Sequence, residues 1–121
     1  MSQRTLLATN EATTVTLSEA KQISESGIVS RTLLHSPELR VVHFTFAEGQ
    51  ELTPHTSRRR ALVQILDGTC EFFFSGLWQV LTEGTVLHLP PNHLHAVRAN
   101  AGTFSMLLTL GHEPVESTPS L

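Results

Sequence analysis

Several residue types are scarce in this chain of 121 residues, and each scarcity closes off a class of function. Cys70 is the only cysteine, so no intrachain disulfide can form, and nothing points to an oxidising compartment. Tyrosine is absent, which removes a common catalytic acid from any mechanism the chain could run. Only 16% of residues are charged, with a formal net charge of −3, so there is no electrostatic pull toward nucleic acid or an anionic membrane. No apolar run approaches the length needed to cross a bilayer. The N-terminus lacks the apolar stretch of a signal peptide, and the expected location is the cytoplasm.

What remains is a chain with 40% hydrophobic residues, long enough to bury one core without a disulfide or structural metal. Residues 1–27 are polar and rich in Ser, Thr and Glu, and read as an arm or partial strand. Within them "LSEAKQISES" allows a short helical turn capped by Ser18. From residue 28 onward short runs of Val, Leu, Phe and Thr follow one another: "ELRVVHFTFAEG", "RALVQILDG", "TCEFFFSG", "LWQVLTEG", "GTVLHLPP" and "GTFSMLLTLG". Each closes on Gly, Asp-Gly or Pro, at the spacing of an all-β sandwich or barrel, and no helical pattern separates them. The barrel is expected over 28–111, with a loose tail at 112–121. "ALVQIL" and "MLLTL" are apolar on both strand faces. Some outer surface should therefore be covered, most simply by a second copy in a homodimer.

Histidines and glycines gather in two blocks, "GQELTPHTSRRRALVQILDG" from Gly49 and "GTVLHLPPNHLHAVRAN" from Gly84. Each has a glycine turn, a short strand or loop, and a histidine entering the next strand. Folded together, they would bring His55 and His95 into one interior. In these blocks the chain resembles the cupin superfamily, specifically a small single-domain cupin of the conserved-barrel type with a degenerate first motif. Gly49, His55 and Gly68 keep the spacing of the first cupin motif, and Gly84, Pro90 and His95 keep that of the second. Asn92 stands where the family has glycine, a substitution the left-handed region tolerates. The family's second histidine falls on Ser57, and its glutamate on Ala61 if three residues intervene or on Leu62 if four.

The resemblance implies an antiparallel double-stranded β-helix, or jelly-roll barrel, with a pocket between the two motifs. It implies a divalent transition metal (Fe, Ni, Zn, Mn or Cu) held by His55 and His95, with His93 as a further candidate, and no organic cofactor. Ser57, Ala61 and Arg58 are expected at the pocket; the "RRR" run reads first as a solvated loop and otherwise as a rim where one arginine caps the pocket and pairs with an anionic ligand. Gln64 should point away by strand alternation, and His43 and His88 read as packed or hydrogen-bonded strand residues. Cys70 should pack as a small hydrophobe, and Asp67-Gly68 reads as a turn. Without tyrosine, the cysteine–tyrosine crosslink of cysteine dioxygenases cannot exist, and the tyrosine acid of sugar-epimerase cupins is missing. Two functions follow: a metal-dependent oxygenase or isomerase acting on a small molecule, or a metal-free barrel that binds or senses one. A third reading leaves the barrel as a dimerising structural domain.

Overall fold

The computed structural model describes residues 5–21 and 26–114. Helix α1 (Leu17–Ala20) is followed by nine strands: β1 (Ile28–His35), β2 (Arg40–Phe46), β3 (Glu51–His55), β4 (Ala61–Asp67), β5 (Thr69–Phe74), β6 (Leu77–Thr82), β7 (Val86–Leu89), β8 (His95–Arg98) and β9 (Phe104–Leu110). They form two antiparallel sheets, in the orders β1-β2-β9-β4-β7 and β3-β8-β5-β6. This is the jelly-roll architecture that the sequence anticipates.

Strand alternation decides what lies inside. On β4, Ala61, Val63 and Ile65 are buried while Leu62 and Gln64 face out. On β2 and β9, Phe46 and Phe104 are paired in register, fully buried and stacked at 4.7 Å between ring centroids. Burying each such ring is worth roughly 1.5–3 kcal/mol. These rings, with Ile65 and Cys70, fill one end of the barrel. Toward the other end the same strands offer Phe44, Leu108, Leu110 and the small Ala61, which do not meet across the middle, and a cavity opens there.

The run of three phenylalanines divides between faces as alternation requires. Phe72 is buried inside, whereas Phe73 packs outside on Trp78 at 5.5 Å. Arg98 lies over the same indole, 3.9 Å from its centroid, and pairs with Glu71. Cys70 is buried and its thiol is pushed up to about 12, first by burial and then by the Glu71 charge; it packs and does not react. The hairpin at Ser75-Gly76 has positive φ at both positions, the signature of a tight two-residue turn.

Two expectations need revision. Helix α1 is a single turn with Thr16 at its N-cap rather than Ser18, and the Thr16 hydroxyl donates to Glu19 at 2.9 Å. Asp67 is more than a turn residue: it pairs with Lys21, the chain's only lysine, at 2.9 Å and accepts from Ser105 Oγ at 2.7 Å. This ion pair straps α1 over His43, which is 2% exposed, on the outer face of the five-stranded sheet. Leu6 and Leu7 also donate to Thr32 and Leu33 carbonyls, adding the N-terminal segment to the edge of β1. Part of the apolar outer face is therefore covered by the chain itself. Of the tail expected to be loose, residues 115–121 lie outside the described residues.

Gly68 carries the crossing from β4 to β5, which belong to different sheets. Its φ is +76°, and a Cβ there would sit 2.6 Å from the Thr103 carbonyl oxygen and 2.9 Å from Phe104 Cα. Both neighbours are backbone and cannot swing away. Gly68→Ala is expected to cost about 2–4 kcal/mol in urea denaturation, clearly more than Gly49→Ala, whose added Cβ meets nothing within 4 Å. Equal costs at the two sites would refute the steric account.

Candidate functional site

The cavity has a volume of about 290 Å³. Most of its wall is apolar, with Phe44, Phe72, Val63, Met106 and Leu108 contributing side chains from both sheets. The polar groups on it are His55, His95, Ser57 and Arg59.

His55 and His95 are brought together by strand register. β3 pairs with β8, and these two residues face each other directly. Their rings meet edge to face at 4.2 Å between centroids. The β3 register shifts between Leu52 and His55, a stretch that contains Pro54. Proline has no N–H to give a ladder, and β3 is an edge strand where that loss is tolerated. The two motif blocks are tied at both ends. Gly49 N–H and Ala99 C=O bond at 2.8 Å, Ala99 N–H donates to Gln50 at 2.8 Å, and Asn92 N–H donates to the Ser57 carbonyl at 2.6 Å. Asn92 adopts φ +64°, the left-handed turn for which the family uses glycine.

Both imidazoles are oriented by backbone. His55 Nδ1–H donates to the Thr53 carbonyl at 2.9 Å, and His95 Nδ1–H donates to the His93 carbonyl at 2.7 Å. In each ring Nε2 is left for an occupant of the cavity. Burial holds the His95 pKa below the ordinary imidazole value; its bond to the His93 carbonyl opposes that, and the nearby His55 and His93 add to it. Neutral His95 thus offers an Nε2 lone pair, an acceptor at neutral pH.

The remaining candidates separate. Ser57 and Ala61 lie on the cavity wall. His93 does not: the chain turns at Asn92, breaking the two-residue parity with His95, and His93 Nε2 bonds Ser75 Oγ at 3.1 Å in the β5–β6 hairpin. Arg58 is exposed, and it is Arg59 that turns inward. The Ser57 hydroxyl accepts from the Arg59 backbone N–H at 3.1 Å and reverses the chain there, while Arg59 Nε donates to the Gly111 carbonyl at 2.6 Å. Arg60 points outside and donates to His88 Nε2 at 2.8 Å. The triple arginine signalled a cationic rim, but only the Ser57 turn selects which arginine faces in.

Do these residues fit the metal that the resemblance implies? Among the described residues no group of three or more His, Cys, Asp or Glu is gathered for a metal ion. A catalytic transition-metal site ordinarily has three protein ligands. Here the wall offers two imidazoles, Ala61 supplies no donor, and the Ser57 oxygen is engaged with the backbone. The donor set falls short of a resident catalytic metal.

A two-sheet antiparallel barrel, packed at one end and hollow at the other, defines a ligand-binding β-barrel of the cupin type. Residues 41–117 match the family model of the AraC-like ligand-binding domain, and the chain belongs to that family. A cupin 2 conserved barrel domain protein from Leptotrichia buccalis is 35% identical, with a TM-score of 0.73, over 78% of this chain and 45% of that one. A conserved Streptococcus pyogenes protein of unknown function is 26% identical, with a TM-score of 0.76, over 95% of this chain and all of that one. A cupin superfamily protein from Desulfitobacterium hafniense, 24% identical with a TM-score of 0.76, shares the fold. Among curated proteins nothing matches. Among the described residues no helix is long and apolar enough to cross a membrane.

Buried His43 also has its pKa held below the ordinary value of 6.5, chiefly by burial; the Asp67 charge opposes this and the Lys21 charge adds to it. The unfolded chain then binds this proton more readily than the folded one. The stability tied to neutral His43 is present above pH 6.5 and is lost as pH falls through the lowered folded value. Urea midpoints should therefore decline below pH 6.5, and His43→Gln should make that decline shallower, with the lowered pKa of His95 leaving a remainder. The Asp67 carboxyl, held below its usual range by Ser105 and Lys21 against the opposing effect of burial, loses its contribution only at much lower pH. An unchanged slope in the variant would remove His43 as the cause.

Proposed function

We propose that this barrel is a metal-free small-molecule-binding domain whose cavity admits a largely apolar molecule. The observation that carries this reading is the wall itself: phenylalanine, leucine, valine and methionine side chains with a few polar groups, the usual make-up of a ligand pocket. Ser57 and Ala61, in place of the family's second histidine and glutamate, favour it too, because they leave room and take away chelating atoms. The His55 and His95 rings, each fixed by a backbone carbonyl, recognise a hydroxyl or amide proton on the ligand. Membership of a ligand-binding family supports the same reading.

The test is a thermal-shift screen of small apolar alcohols, amides and acids, with and without a chelator, alongside elemental analysis of the dialysed protein. A ligand at a hundred times its Kd should stabilise by about 2.7 kcal/mol, unaffected by the chelator. Ala61→Leu, which adds bulk to the wall, should abolish the effect. Close to one Fe, Ni, Zn, Mn or Cu per chain, together with chelator-sensitive stability, would overturn the metal-free reading. It would favour the oxygenase or isomerase alternative, with His55 and His95 as ligands and water or substrate completing the shell. That alternative has one observation behind it, since an imidazole whose Nδ1–H is held by a carbonyl presents Nε2 as a metal ligand does.

We also propose that a second copy of the chain covers the rest of the outer face. Leu62 and Val86 stand 47% and 60% exposed on neighbouring strands β4 and β7, and β7 is an edge whose antiparallel pairing with its own copy is self-complementary. Sedimentation velocity should show a dimer that Val86→Glu converts to monomer. A wild-type monomer at tens of micromolar would dismiss it.

A further inference from the structure

Arg59 puts a positive charge on a mostly apolar wall. Its Nε is tied to the Gly111 carbonyl, which holds the guanidinium plane in place. The ion pairs among the described residues join Lys21 to Asp67 and Arg98 to Glu71, and neither involves Arg59. The terminal guanidinium nitrogens of Arg59 have no hydrogen-bond acceptor among the described residues. Those nitrogens are not among the buried unpartnered atoms, so they are open to an anionic group entering the cavity.

Resting on the reading of the cavity as a small-molecule site, we propose that its ligand is an apolar-bodied carboxylic acid, bound as the carboxylate with its head on Arg59. The planar fork of arginine matches a carboxylate's two oxygens. A phosphate monoester brings about two negative charges at neutral pH and calls for more donors than one arginine supplies. His95 presents a lone pair at Nε2, which repels carboxylate oxygens, and Arg59 is the one lysine or arginine among the described lining residues, so the head falls to Arg59. The body then lies along Phe44, Phe72, Met106 and Leu108. A hydroxyl or amide N–H elsewhere on the ligand would be read by His55 and His95.

The experiment is titration calorimetry with hexanoate and hydrocinnamate, each set against its own primary amide, which keeps shape while removing charge. Wild-type protein should bind the acids at least about tenfold more tightly than the amides. Arg59→Gln should erase that preference while still binding the amides, and Arg58→Gln should keep it. Amides bound as tightly as acids by the wild type would overturn the proposal without any variant. So would a preference that survives Arg59→Gln. Those outcomes leave the cavity a small-molecule site, whereas failure of acids and amides alike would overturn that reading as well.

Discussion

The register between β3 and β8 is the constraint on which the site depends. Side chains alternate across a strand, so a slip of one residue would send His55 to the outer face and leave His95 alone. The register is held from both ends by backbone bonds: Gly49 and Gln50 against Ala99 at one, Ser57 against Asn92 at the other. None of those bonds uses a histidine side chain. The framework that pairs the two imidazoles is thus independent of what they bind, and either ring can change without the strands losing their partners.

That framework also explains why the barrel can be hollow. Phe46, Phe104, Ile65 and Cys70 pack one end fully, so the core's stability does not rely on closing the other. At the open end, Ala61 occupies a wall position where the family has a carboxylate. The change removes a charge and creates space together. Burial holds the His95 pKa down, so on the proposed reading its Nε2 meets a ligand as a hydrogen-bond acceptor.

Much of this was legible in the sequence because it depends on spacing. Two glycine-led blocks placed His55 and His95, and alternation from Ala61 put Gln64 outside, as found. What was not legible depends on partners distant in the chain or on turn geometry. Asp67 reads as half of a turn, yet its partners Lys21 and Ser105 are 46 and 38 residues away. His93 shares a parity with His95 on paper, and the turn at Asn92 cancels it. Among Arg58, Arg59 and Arg60 no composition rule can choose; the choice rests on one serine hydroxyl and one carbonyl after β9.

The N-terminal segment carries the same lesson for the outer surface. Apolar residues on both faces of a strand demand a cover, but do not say whose. Here the cover over β2 and β9 is partly the chain's own, fastened by Lys21 to Asp67 and by Leu6 and Leu7 along β1. His43 and Ser105 lie beneath it, with Ser105 bonded to the same Asp67 that holds Lys21. Farther across the sheet, on β4 and β7, Leu62 and Val86 stand exposed beside Gln64 and His88, a mixed face that the described part of the arm leaves open. Strap and cavity lie on opposite faces of that sheet, so what fastens the arm on the outside need not disturb what the interior binds.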